Sequence, residues 1–472
     1  MKSYLFILLV LLTQSIFPQR NILNLRSRID SLLADSFFDT TQIAVDVYDF
    51  TLNEKLYGRN EKFLLRPASN MKILTMSAAL VFLGTDYNFT TSLRYTGEIK
   101  NGILSGDLYV IGGCDPLLSS KDLDSLAAIV KSSGINEIRG DLTGDVTMMD
   151  SLYWGKGWMW DDDCPYLTPL DINANSVGVV IKPGISGQKA NVVLIPQSDF
   201  IQVDNFSVTV PADSPDTYKL KKDWLNHKNT LTISGNVSAK TVPDSLQDTL
   251  YTKVYEPQLY FLDLFRKAFK TREINISGKE YTTGSPSYSK YIFDYKRPFG
   301  QVIEYTNKES YNLGAEMTLR AIAAKCLGIP ATADNGIKMI VSLITLTGFN
   351  PGDYRLADGS GISHYNLVSA QLLIEVLKYM YFKSPDLYKI LYESFPVAGV
   401  DGTLSNRMKS TLAQNKVHAK TGTLSGVSSL SGYLTSVNGH LLGFSIILQN
   451  FNGSSKASRD YEDKICNILM EY

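Results

Sequence analysis

The sequence predicts a mixed α/β (α+β) protein in which helices and strands from both ends of the chain build one domain and a β-rich insert interrupts it. Three observations predict this. Residues 69–83 are apolar on nearly every face and end at Gly84, which marks a helix at the centre of a domain. Residues 427–435 and 440–451 flank Asn438-Gly439, a strong hairpin signal at the far end of the chain. Between them, from about 95 to 290, short alternating runs are separated by Gly, Pro, Asn and Asp turns.

Taken in order, residues 1–19 read as a secretory signal peptide. Lys2 gives a positive start, 4–12 is an uninterrupted apolar run, and Thr13-Gln14-Ser15 is polar. That run is too short to span a bilayer, and no later segment reaches about 18 apolar residues. No cysteine follows the run directly, so no lipid anchor is expected, and the protein is expected to be periplasmic or otherwise extracytoplasmic. Residues 21–37 place Ile22, Leu25, Ile29, Leu32 and Leu33 at helical spacing. Residues 42–50 alternate Ile43, Val45 and Val47 against Asp46 and Asp49, and a turn at Leu52-Asn53 leads to a second strand near 55–57. Runs 106–111, 190–195 and 206–210 are strands of the insert. The helical period returns at 313–326, 336–346 and 369–382, and 458–470 closes the chain as an amphipathic helix. The expected organisation is a discontinuous domain of 20–94 and 291–472, with 95–290 as one or two inserted subdomains.

Composition sets the class. A chain of 472 residues, 44% hydrophobic and 20% charged, suits a folded protein of two or three domains. A net charge of -1 makes no electrostatic case for nucleic acid or an anionic membrane surface. Four His and four Cys show no zinc-ligand spacing, so no metal and no other cofactor is expected. An extracytoplasmic compartment permits disulfides: Cys114 and Cys164 could pair, Cys326 and Cys466 lie elsewhere, and four free thiols remain open.

Three short motifs carry chemistry. Ser69-Asn70-Met71-Lys72 puts a hydroxyl and an amine one helical turn apart. A serine needs a neighbouring base to become a nucleophile, and a lysine serves when burial lowers its pKa. Ser186 to Lys189 and Ser287 to Lys290 share the spacing but sit in polar loop sequence. Ser310-Tyr311-Asn312 opens a helix, where capping is the bland alternative. Lys420-Thr421-Gly422-Thr423 starts a terminal strand, where a fixed cation, hydroxyls and a close backbone approach suit a substrate carboxylate; a polar strand start is its bland alternative. The order Ser-x-x-Lys, Ser-x-Asn, Lys-Thr-Gly is the signature set of serine acyl-transfer enzymes of the penicillin-binding and β-lactamase type.

With these motifs in place the sequence resembles the class C low-molecular-mass penicillin-binding D-alanyl-D-alanine carboxypeptidases of the peptidase S13 type. The resemblance extends through 106–108 and 112–116, 155–162, 358–363 and 396–404. It implies a DD-peptidase-like domain, an antiparallel sheet flanked by helices. It also implies a carboxypeptidase, and in some relatives an endopeptidase, acting on peptidoglycan stem peptides and inhibited covalently by β-lactams. By position, Ser69 would be acylated and Lys72 would take its proton. Ser310 would relay a proton to the leaving amine, Asn312 would hold the substrate amide, and Lys420, Thr421 and Thr423 would bind the terminal carboxylate beside Gly422. The backbone N–H groups of Ser69 and Thr423 would form the oxyanion hole. Trp158, Asp161 and Tyr166 match a subsite for the side-chain end of the stem peptide, with core packing as the alternative for the aromatic residues. Three positions depart from the family pattern: Tyr311 where Asp is common, Cys114 where Gly is usual, and His364 where Arg is common. Within enzymes the rival is a β-lactamase or esterase using the same pair; outside them it is a non-catalytic peptidoglycan-binding or sensor domain.

Overall fold

The structure, a computed structural model, describes residues 22–162, 164–240 and 249–472. The signal segment expected at 1–19 lies outside the described residues. Among the described residues no helix is long and apolar enough to cross a membrane.

A five-stranded antiparallel sheet joins the two ends of the chain. Its order is Val417–Leu424, Val427–Thr435, Leu441–Gln449, Gln42–Asp49, Glu54–Arg59. Gln42 lies opposite Gln449 and Asp49 opposite Leu442, so the junction between the N- and C-terminal strands runs their full length. Side chains alternate across a strand, and here both faces are apolar. One face, with Val45, Val47, Leu430, Phe444 and Ile446, packs with Leu25, Ile29, Ile465 and Leu469 of the first and last helices. The other face meets the helix Ala370–Lys383, and behind it Met71–Phe82, Asn312–Leu327 and Ala333–Leu346 complete the same core. Met71 to Leu80 are all buried, as the absence of a polar stripe requires.

The middle of the chain forms separate sheets. A five-stranded one runs Glu280–Thr282, Leu142–Asp145, Leu108–Ile111, Asn88–Tyr95, Lys290–Pro298, and a four-stranded and two three-stranded sheets accompany it. Two helices, Ser120–Ser132 and Pro257–Thr271, lie among these strands and share a core of Leu93, Val110, Leu123, Leu126, Phe261 and Phe265. Their signals are local: Leu123, Leu126, Ala127 and Val130 recur at helical spacing behind a Ser119–Asp122 capping box, and Pro257 stands at a first helical position. Cys114 and Cys466 are buried thiols and Cys326 an exposed one, so these three form no disulfide.

Candidate active site

The chain enters the buried helix Met71–Phe82 through a tight 3-10 turn, Ala68–Asn70. Ala68 takes φ 48°, a conformation that L-residues adopt at a cost, and it is wholly buried. Gly361 explains the fit, because a Cβ there would stand 1.8 Å from the Ala68 carbonyl oxygen. The turn leaves Ser69 half-buried and Lys72 fully buried one turn below it. Lys72 Nζ donates to Ser69 Oγ at 2.9 Å, to Asn312 Oδ1 at 2.7 Å and to the Ser360 carbonyl at 2.7 Å. Burial pushes the Lys72 ammonium down to about 7, opposed by the charges of Asp358 and Glu316.

Those two carboxylates hold the loop that carries Ser360. Glu316 Oε1 accepts the N–H groups of Gly359 and Ser360 at 2.9 and 2.8 Å, and its Oε2 pairs with Arg320 at 3.0 Å. Asp358 accepts from the N–H groups of Gly361 and Ser363 at 2.8 and 2.6 Å, from Asn366 Nδ2 at 2.6 Å and from Trp158 Nε1 at 2.8 Å.

The second motif sits where the helix Phe299–Lys308 turns into Asn312–Leu327. Ser310 occupies that corner at φ 56°, and strained backbone of this kind gathers at working sites. The corner presents Asn312 to Lys72, while the preceding Glu309 lies close enough to bear on the charge of Lys420. Tyr311 points away from both: its hydroxyl donates to the Pro116 carbonyl at 2.9 Å and its ring meets Tyr305 edge-on at 5.3 Å.

The third motif lies on the outermost strand of the central sheet. The stretch 396–398 covers the start of that edge, through Ala419 N–H to Pro396 O and Ala398 N–H to Val417 O, both 3.0 Å. Among the described residues nothing pairs with 420–424 on that edge, which suits an extended peptide adding as a strand. Lys420 is fully buried, and its Nζ donates to the Thr421 carbonyl at 2.9 Å. Burial, then the neighbouring Lys72, hold the Lys420 amine well below the usual lysine range, opposed by the charge of Glu309. Thr421 Oγ1 donates to Thr403 Oγ1 at 2.7 Å, and Thr423 is exposed. A Cβ at Gly422 would come within 2.9 Å of both Ser69 N and Pro67 O, so only glycine lets this edge lie against the Ser69 turn.

The structure therefore brings Ser69, Lys72, Asn312 and Lys420 to one place, with Ser310 on the corner between Glu309 and Asn312. The two decoys lie apart from this site: Ser186 to Lys189 are all exposed, and Lys290 opens the strand Lys290–Pro298 with its Nζ donating to the Gly97 carbonyl. Trp158 is buried in the main core, Tyr166 is buried outside it, and Asp161 is exposed; Asp161 and Tyr166 line one cleft with Lys222 and Trp224. At His364, where relatives commonly carry Arg, the Arg66 guanidinium stands 3.2 Å from the ring Nδ1. The parts that motif reading missed are the Ser360 carbonyl, which has no side-chain signature, and Thr403, Glu316 and Asp358, whose roles depend on folding.

The D-Ala-D-Ala carboxypeptidase 3 (S13) family matches residues 25–472 of the chain. The chain is 33% identical to a D-alanyl-D-alanine carboxypeptidase of Actinomadura sp. (strain R39), covering 95% of this chain and 85% of that protein. It is 29% identical to the D-alanyl-D-alanine carboxypeptidase DacB of Haemophilus influenzae, covering 89% and 87%. The crystal structure of penicillin binding protein 4 (dacB) from Haemophilus influenzae matches with a TM-score of 0.81 at 26% identity, over 94% of this chain and 99% of that one. The same protein complexed with a β-lactam matches with a TM-score of 0.77.

Proposed function

The chain belongs to the D-Ala-D-Ala carboxypeptidase 3 (S13) family, and from that premise we propose that Ser69 is its acylated nucleophile and that D-alanyl-D-alanine ends of peptidoglycan stem peptides are its substrates. The observation that carries this is the 2.9 Å contact of the fully buried Lys72 amine with Ser69 Oγ. The neutral amine takes the hydroxyl proton as Ser69 Oγ attacks the penultimate carbonyl carbon. The backbone N–H groups of Ser69 and Thr423 receive the oxyanion, and Ser310 passes a proton to the departing D-alanine amine. Asn312 holds the substrate amide, while Lys420, Thr421 and Thr423 hold the terminal carboxylate. Water then hydrolyses the acyl-enzyme.

A β-lactam enters the same cycle and stalls it. The buried carboxylates behind Lys72 have both oxygens committed, Glu316 to two N–H groups and Arg320, Asp358 to five donors. Neither is available to activate a deacylating water, which favours a long-lived penicilloyl-enzyme over a β-lactamase. Asp161 and Tyr166 contribute to the subsite for the stem side chain. Trp158 supports it from below through Asp358, and Arg66 supplies the cation that His364 does not.

The protein works outside the cytoplasm, exported by the segment 1–19, because its substrate is there. The division into a catalytic body of 20–94 with 291–472 and an insert of 95–290 is supported by the sheet that joins the two chain ends, with the paired strands Asn88–Tyr95 and Lys290–Pro298 of the middle sheet crossing its two boundaries. Labelled penicillin is expected to add its mass at Ser69 and to persist; a folded protein that takes no label sinks the proposal. Digestion of a synthetic pentapeptide and of whole peptidoglycan, read by mass, separates terminal D-alanine release from cross-link cleavage.

A further inference from the structure

The rings of the middle region form a path leading away from the lysine-bearing loop. Trp158, bonded to Asp358, is its buried inner end, and Trp154 lies 5.4 Å from it and 5.4 Å from Tyr166. Tyr166 meets Tyr255 at 5.4 Å, and Tyr255 meets His227 at 4.9 Å. Over this path Trp160, on the loop after Gly155, stacks on Trp224 of a distant hairpin at 4.3 Å with their planes 20° apart. The pair is open to solvent: Trp160 is 63% and Trp224 36% exposed, and Leu225 beside them is 72% exposed. The shelf borders a polar groove of about 720 Å3 that shares His227 and includes Asp204, Asp223, Glu256 and Asn229.

A stacked pair of exposed indoles from two separate segments is a surface waiting for a ligand, since water-facing apolar area of this kind is otherwise disfavoured. The ligand must have a flat apolar face and a polar edge, because shelf and groove adjoin. A pyranose ring has both: C–H groups on one face for the indole, and hydroxyl and amide groups at the rim for the groove. Three carboxylates against one ammonium, Lys228, leave the groove net negative, which disfavours a polyanion. A peptide of apolar side chains would leave the groove unused.

We propose that the Trp160–Trp224 shelf and its groove bind the glycan strand of peptidoglycan, a neutral polymer of N-acetylated amino sugars, alongside the site that acts on the stem peptide. The proposal rests on the peptidoglycan reading above. Continuity supports it, since the loop 155–162 that carries Trp160 is pinned to the loop 358–364 by Trp158 Nε1 to Asp358 and by Ser363 Oγ to the Lys156 carbonyl at 2.7 Å.

All four tryptophans of the chain lie in this cluster, so tryptophan emission excited beyond the tyrosine absorption reports on it alone. The full chain would be titrated with neutral β-1,4-linked oligomers of N-acetylglucosamine, which carry no carboxylate, with penicillin acylation of Ser69 measured alongside. A saturable fluorescence change is expected, weakened about tenfold in Trp160→Ala and in Trp224→Ala, the scale set by loss of an aromatic anchor, and largely kept in Trp224→Phe. The proposal is overturned if an acylation-competent protein shows no change, if the alanine variants bind as tightly as the parent, or if an anionic wall polymer displaces the sugar at the shelf. Sugar binding in a protein that never acylates would support the shelf and overturn the peptidase reading.

Discussion

Lys72 offers its three N–H bonds to three acceptors, a set that fits an ammonium, while complete burial favours the neutral amine. These opposed demands bring the group to about 7, where both forms are accessible. Only the neutral form can accept the Ser69 proton. Acylation by penicillin is therefore expected to rise about tenfold per pH unit below about pH 7 and to level off above it. A profile flat through 7 that rises only near the usual lysine pKa would contradict this. Lys72→Arg keeps the charge but cannot lose its proton, so its acylation rate should fall by at least about 100-fold. Ser69→Ala should lose both penicillin labelling and D-alanine release; retained turnover would require another nucleophile.

At the scale of elements, the site is the seam between a helix start and a sheet edge, and Gly422 is its tightest point. A methyl group there meets Ser69 N, Pro67 O and Ser429 Oγ, the first two being backbone that cannot swing away. Gly422→Ala should leave the far-ultraviolet circular dichroism spectrum unchanged and lower the acylation rate by about 100-fold, the scale expected from an ångström-sized misplacement. The glycine was legible in the sequence as part of a motif, but its neighbour was not, because nothing local says that position 422 lies against position 69. The hairpin 427–435 with 441–449 and the apolar helix after Ser69 were legible because their periodicity is local and unbroken. The Glu316–Arg320 pair was not, since i,i+4 spacing is commonplace and only burial gives it weight. Glu316→Gln leaves Arg320 buried without its counter-charge. It should cost about 3–5 kcal/mol in urea unfolding.

Across the whole molecule, the question is how the middle sheets bear on a site built by the two chain ends. The sequence showed a long interval between Ser69 and Ser310 and a change of texture within it, which was enough to infer an insert. Its points of attachment were not legible, because they are contacts between residues about two hundred positions apart. Trp158 to Asp358 is one, and the Tyr311 hydroxyl on the Pro116 carbonyl is another. The second also accounts for a departure from the family motif. Asp171 and Asp115, both fully buried in the middle region, bear on Tyr311, and burial raises the pKa of each carboxyl. Aspartate at 311 would place a third carboxyl group beside them, whereas a tyrosine fills the space and donates its proton to a carbonyl. Tyr311→Phe, which removes one hydrogen bond and keeps the ring, should lower stability by about 1 kcal/mol. Tyr311→Asp, although it restores the common motif, should cost about 3–5 kcal/mol, from the volume lost and the added buried carboxyl. Thermal unfolding and penicillin acylation measured together decide the matter: an aspartate variant as stable and as reactive as the parent would mean that the insert does not constrain this corner.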